Sequence, residues 1–230
     1  SCSSGVAYLL AFCTINVFHL PQHQLPTGFA HMLSITLYGL GYSRSARCRW
    51  TLAELGLEYE YIEDRTLLRS DKLKTLQPQG KMPVAIIDDV TLFESAAICM
   101  YLCELGDNAL LPPAGTASRA AHYQWVSFAA TEVEGYLWSN AKHTGMYPEA
   151  ERSPGVVAKN NDEIHAGLKV LDDALGRAPF LLGDNFHVTD IIVGWTINWA
   201  RRTDYLGPYA NLRAYVSRLL ARPLCALNPE

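Results

Sequence analysis

No lysine or arginine occurs before Arg44, no two cysteines stand in CxxC spacing, and no apolar run is long enough to cross a bilayer. The apolar stretch Val6–Leu20 falls short of the roughly 20 residues a membrane helix needs. It also lacks the basic flank of a secretory leader. The six cysteines (Cys2, Cys13, Cys48, Cys99, Cys103 and Cys225) have no histidine at zinc-ligand spacing, so neither a dithiol motif nor a metal site is expected. Cys99 and Cys103 stand four apart in an apolar helical run, where cysteine serves as a small buried hydrophobe. This usage fits a reducing, cytoplasmic compartment. A basic excess is missing too: 19 Lys and Arg against 23 Asp and Glu give a net charge of -4. That excludes the electrostatic footprint of a nucleic-acid or anionic-membrane binder.

What is present is a chain of 230 residues, 49% apolar and 18% charged, enough for two small domains with buried cores. Met32, followed by the strand-like LSITLY, reads as a natural start, which makes residues 1–31 an upstream extension of unknown role. Strand and helix then alternate. Ser34–Tyr38 is a strand, and Ala46, Trp50, Ala53 and Leu57 recur at helical spacing until Gly56 marks the helix end. Glu58–Ile62 is a second strand and Leu67–Leu76 a short helix. Val84–Ile87 and Thr91–Phe93 form a hairpin across Asp88-Asp89, and a helix opens near Glu94. The order βαβ-α-ββα implies one mixed sheet with helices against it. Leu111–Gly115 is a linker, and all that follows is helical: about Thr116 to His143, a helix opened by Ser153-Pro154, another through Val188–Trp199, and a last one through Leu212–Leu219. The fold class is therefore α/β followed by all-α, with domains at 32–111 and 116–230.

Two short segments carry chemistry. Pro83 precedes a buried β-branched strand. A cis Met82–Pro83 bond would turn the Met82 backbone outward to pair with an extended peptide, whereas a trans bond would simply open an edge strand. Glu94-Ser95 opens a helix, whose free N–H groups and partial positive charge suit a carboxylate. Ser95 adds a hydroxyl and Glu94 a partner for an ammonium; alternatively, both merely cap the helix.

The spacing of the two segments together is more specific. Gly80–Leu102 (GKMPVAIIDDVTLFESAAICMYL) resembles the G-x-V-P … E-S-x-A-I-x-x-Y-L signature of the glutathione transferase family. Ser43–Glu60 is similar to the first helix of bacterial and fungal members. Phe180–Gly194 and Asn211–Pro223 are similar to the family's helical domain, so the resemblance spans roughly residues 33–227. It implies a thioredoxin-like domain followed by a helical one. It also implies that Glu94 and Ser95 hold the γ-glutamyl end of glutathione while Met82, beside Pro83, pairs its backbone with the cysteinyl unit. Lys81 either meets the glycyl carboxylate or is an ordinary surface lysine.

The family's chemistry is stabilisation of the glutathione thiolate for attack on an electrophile. The Ser43–Arg47 spacing matches serine-type members, which makes Ser43 the first choice for the catalytic hydroxyl, with Tyr42 and then Ser45 behind it. Ser43 also suits the N-cap of a helix beginning near Arg44. Cys48 falls about a turn into that helix and is disfavoured. Tyr136 and Trp138 are chosen for an electrophile pocket over Trp125, which fits a buried stripe. His187 stands where the family has Ser or Thr three residues before Asp190, so one half of a capping box should be weak. The implied activity joins glutathione, as co-substrate, to small apolar electrophiles in a cytoplasmic, detoxifying homodimer without metal or other cofactor. The alternatives are a glutathione-dependent peroxidase or disulfide reductase, and a binding module without turnover.

Overall fold

The strand β1 (Ile35–Tyr38) is the hub of a four-stranded sheet of order β2-β1-β3-β4. This computed structural model describes residues 33–105 and 110–227; the expectation for residues 1–31, Cys2 and Cys13 included, falls outside the described residues. Strand β2 (Glu60–Ile62) runs parallel to β1, while β3 (Val84–Ile87) and β4 (Val90–Phe93) complete the sheet antiparallel. The hairpin turns at Asp88-Asp89, where Asp88 takes a left-handed φ of 52°. That conformation is tolerated best by Asn, Asp and Gly.

Helix α1 (Ser45–Leu55) joins β1 to β2 and ends where Gly56 supplies the left-handed φ of 65°. The short helix expected at 67–76 is two pieces: a 3₁₀ turn at Arg65–Leu67 and α2 (Asp71–Leu76). Arg69 (φ 62°) breaks the run, and Ser70 caps α2 by accepting from the Leu73 N–H at 3.1 Å. A Cβ on Gly80 would sit 2.6 Å from the Arg69 Cα, so only glycine lets these two strands of chain meet. Helix α3 (Ser95–Glu104) closes the first domain.

The linker is anchored. Leu110 and Leu111 are buried, the Leu110 carbonyl accepts from Val188 N–H at 2.8 Å, and Arg119 Nε donates to the Pro112 carbonyl at 2.6 Å. The long helix expected from 116 to 143 is interrupted twice. Helix α4 (Ala117–Ala129) passes through a π turn at Ala130–Glu134 into α5 (Gly135–Ala141), and a second π turn follows at Lys142–Met146. Then come α6 (Pro154–Leu175), α7 (Val188–Arg202) and α8 (Ala210–Leu220). Ser153 caps α6 as its sequence position suggests.

One apolar core runs through both domains, from Leu37, Trp50 and Ile98 to Leu171, Ile191 and Tyr215. Trp50 stacks at 5.5 Å on Phe186, and Arg222 reaches Glu54 at 2.9 Å, so α1 is held to the second domain at its far end. Among the described residues, no helix is long and apolar enough to cross a membrane.

Asp190, fully buried at the start of α7, accepts from His187 N–H (2.9 Å), Leu181 N–H (3.1 Å) and the Tyr215 hydroxyl (2.8 Å). The Asp190 half of the capping box is made at hydrogen-bond distance, while His187 Nδ1 lies 2.9 Å from the Asn185 carbonyl. The load at this helix start therefore rests on Asp190. Burial pushes its carboxyl above the ordinary range, opposed by the three donors. Replacing it by alanine strands all three, and each orphaned buried donor costs about 1–3 kcal/mol. Asp190→Ala should thus lose several kcal/mol in urea denaturation or fail to accumulate as folded protein, whereas His187→Ala should change little.

Candidate functional site

The turn between β1 and α1 is built on close approach. A Cβ on Gly39 would lie 2.7 Å from Ser45 Cβ and 2.8 Å from the Tyr61 ring, so the chain can pass there only as glycine. Leu40 N–H then donates to Ser45 Oγ at 3.2 Å, and Ser45 Oγ lies 2.9 Å from Ser43 Oγ. Helix α1 begins at Ser45, one residue later than the sequence suggests, and Ser43 Oγ accepts from the Ser45 N–H at 3.3 Å. Ser45 is fully buried, Ser43 half-buried and Tyr42 exposed. Either hydroxyl can donate across that contact; when Ser45 does, the lone pairs of Ser43 are filled and its own proton is left to donate outward.

Beneath the turn lies Arg47, 4% exposed. Its Nε donates to the Ile192 carbonyl (3.0 Å), Nη1 to Ser95 Oγ (3.1 Å) and Glu134 Oε1 (3.4 Å), and Nη2 to Thr196 Oγ1 (2.7 Å) and Glu134 Oε2. Thr196 Oγ1 in turn donates to Glu134 at 2.6 Å, and Arg44 Nε pairs with Glu134 Oε1. Burial alone would raise the Glu134 carboxyl, but the Arg47 and Arg44 charges and these donors hold it down at about 2.

The cis-proline edge follows. Met82–Pro83 is cis, and the Met82 backbone N–H and carbonyl have no partner among the described residues. The Gln77 side chain shapes the approach, its Oε1 accepting from Gln79 N–H and Lys81 N–H at 2.8 and 2.9 Å. Lys81 itself is exposed. Glu94 stands just ahead of α3 with φ 72°, a costly conformation for a residue with a Cβ, and makes no cap to the helix. Ser95 is buried, its hydroxyl oxygen taken by Arg47 and its proton free. Neither residue is a mere cap. Cys48 is fully buried and burial pushes its thiol well above the usual range, which makes it inert.

A cleft of about 370 Å³ opens beside Ser43, walled by Tyr42, Arg44, Trp138, Trp195, Trp199 and Arg202. Trp138 lines it. Tyr136, chosen alongside Trp138, does not and packs against the core, as does the half-buried Trp125. The sequence reading missed Arg44, Trp195, Trp199 and Arg202 as wall residues and Glu134 as the carboxylate beneath. The one available signal was the i, i+4 spacing of Trp195 and Trp199, which sets both on one helix face.

Comparison with known proteins agrees with this fold. The model for the glutathione S-transferase N-terminal domain matches residues 33–104, and that for the C-terminal domain matches residues 154–218. "Glutathione S-transferase 3" of Schizosaccharomyces pombe is 30% identical over 213 residues, covering 85% of this chain and 87% of that one. A theta class glutathione S-transferase of Xanthomonas axonopodis pv. citri, solved with glutathione bound, superposes with a TM-score of 0.73 at 25% identity, over 86% of this chain and 99% of that one. The transferase URE2P6 of Phanerochaete chrysosporium, solved with oxidized glutathione, gives 0.74 at 25% identity, over 86% and 96%.

A carboxyl held at about 2 against its ordinary 4.5 stabilises the fold fully above pH 4.5, and that contribution is lost as the pH falls toward 2. The shift corresponds to about 3 kcal/mol. Urea denaturation of the native chain and Glu134→Gln between pH 6 and 2 should show a stability gap that closes by roughly that amount. A gap that stays constant with pH would mean that Glu134 does not carry this linkage.

Proposed function

Because the chain belongs to the glutathione S-transferase family, we propose that this glutathione transferase joins its thiol substrate to small apolar electrophiles, with Ser43 steadying the thiolate. The observation that carries the assignment is the Ser43 hydroxyl on the wall of the cleft, 2.9 Å from the hydroxyl of the buried Ser45. Leu40 N–H donates into Ser45, Ser45 into Ser43, and Ser43 toward the sulfur. A free thiol near pKa 8.5 is mostly protonated at neutral pH, and a hydroxyl donor at the start of a helix lowers that value. The thiol proton leaves to solvent. The thiolate then gives an electron pair to the electrophilic carbon, and the leaving group departs with its own bonding pair.

Glutathione itself is held along the edge described above. The Met82 backbone pairs with the cysteinyl unit, Glu94 takes the ammonium and Ser95 the carboxylate of the γ-glutamyl end, and Lys81 answers the glycyl carboxylate. Two structural neighbours solved with glutathione or its oxidized form support this reading. The cleft supplies proximity to the second substrate, with Trp138 as one wall. No cofactor beyond glutathione is called for. From the resemblance the reading also takes over a homodimeric assembly and a cytoplasmic, detoxifying role.

Retention on glutathione-agarose and conjugation of 1-chloro-2,4-dinitrobenzene test the proposal. Ser43→Ala should be retained as before while kcat/KM falls by about 10²–10³, the scale for losing one donor to a developing or held anion. Undiminished conjugation in Ser43→Ala would dismiss Ser43 and bring Tyr42→Phe into question. Disulfide reduction in place of conjugation would move the chemistry to a glutathione-dependent reductase.

A further inference from the structure

Three indole rings surround one guanidinium in the cleft. Arg44 Cζ lies 5.5 Å from the Trp138 centroid and 5.6 Å from those of Trp195 and Trp199. Only its Nε is hydrogen-bonded among the described residues, to Glu134. Both terminal nitrogens are therefore left as donors on a side chain still 32% exposed. Arg202, which also lines the cleft, lies 5.8 Å over the Tyr42 ring and has no acceptor among the described residues.

The charges do not balance there. Glu134 is a single carboxylate shared by Arg44 and Arg47, so that trio keeps one positive charge. Arg202 adds another, and none of the described residues lining the cleft is acidic. This local surplus stands out in a chain whose net charge is -4. Indole walls exclude water, which strengthens any charge pair formed between them. Flat rings fill an aromatic slot, and a guanidinium fork fits a carboxylate or sulfonate in bidentate fashion. The volume suits a compound of one or two rings.

We propose that the electrophile is an aromatic compound bearing an acidic group, its ring against the indole wall and its anion on Arg44 and Arg202. This rests on the conjugation reading and amends its substrate class, adding a charged group to the apolar electrophile proposed above. Arg44 and Arg202 then set specificity, and Ser43 keeps its place at the sulfur.

Calorimetric titration with 2-naphthoate and its neutral isostere 2-naphthamide tests this without turnover. Naphthoate should bind about tenfold tighter, the scale of one charge-assisted hydrogen-bonded pair. The preference should shrink several-fold in Arg202→Gln and in Arg44→Gln, and should largely return in Arg202→Lys. Saturating glutathione should leave naphthoate binding in place, because a second substrate must sit beside the first. Equal affinities, a preference untouched by both glutamine variants, no binding of either compound, or displacement of naphthoate by glutathione would each overturn the proposal. Lack of conjugation would instead strike at the transferase chemistry, leaving the naphthoate-to-naphthamide ratio readable.

Discussion

One guanidinium has all its hydrogen-bonding positions filled inside the protein, and the architecture of the site is organised around it. A charge as deeply buried as Arg47 survives only with a counter-charge and a full set of acceptors. Its acceptors come from four places in the chain: Ser95 at the start of α3, Glu134 in the π turn, and Ile192 and Thr196 on α7. Trp195 closes over its face at 4.7 Å. The junction between the domains is thus a polar knot set in an apolar core. Removing any one member leaves another uncompensated. The same knot reaches the proposed site from two sides: it takes the oxygen of Ser95, leaving that proton free, and it fixes the helix that follows Ser43.

The π turn at Ala130–Glu134 contributes to this placement. An extra residue in a turn rotates everything downstream relative to what precedes it, and such bulges recur where a side chain must be re-aimed. Glu134 closes the turn, and Trp138 stands four residues on, on the same face. Both meet Arg44. The carboxylate that compensates the buried arginine and the indole that walls the cleft are therefore delivered by one local irregularity. This gives binding and stability a common origin in the backbone.

The backbone of the segment from Pro83 to Ser95 was legible because its signals are local. Pro83 before a strand, Glu94-Ser95 at a helix start and a hairpin between them lie within two dozen residues, and turn chemistry reports on neighbours. The cleft was less legible. Tyr136 and Trp138 stand two positions apart on a helix, about 200° around it, and so cannot share a face. Hydrophobicity alone could not say which of them the π turn would expose, and a π turn leaves no pattern in the sequence. Arg44, Glu134 and Arg202 each read as ordinary helix charges until folding brings three distant segments together. Arg47 entered only as a spacing companion of Ser43, and its role as the knot depends on acceptors far along the chain. The strand and helix edges that moved, at Glu60 and at Arg69, moved because short elements are set by their partners rather than by their own propensity.

The surplus of positive charge beside Ser43 also bears on how reactive a thiolate held there can be. A field that favours the thiolate raises its population but lowers its nucleophilicity, because a better-stabilised anion gives up its electron pair less readily. The product is a neutral thioether, so a strong field opposes the attack it prepared. Two guanidiniums sharing one carboxylate leave a field of moderate strength, with the Ser43 hydroxyl and the start of α1 adding to it. An acidic substrate entering that field weakens it as the reaction begins. On the proposed reading, the thiolate at Ser43 is held firmly while the cleft is empty and loosened once the electrophile has bound. On that reading the charge imbalance is tied to the order of events: the residues proposed to recognise the second substrate would also set the readiness of the first.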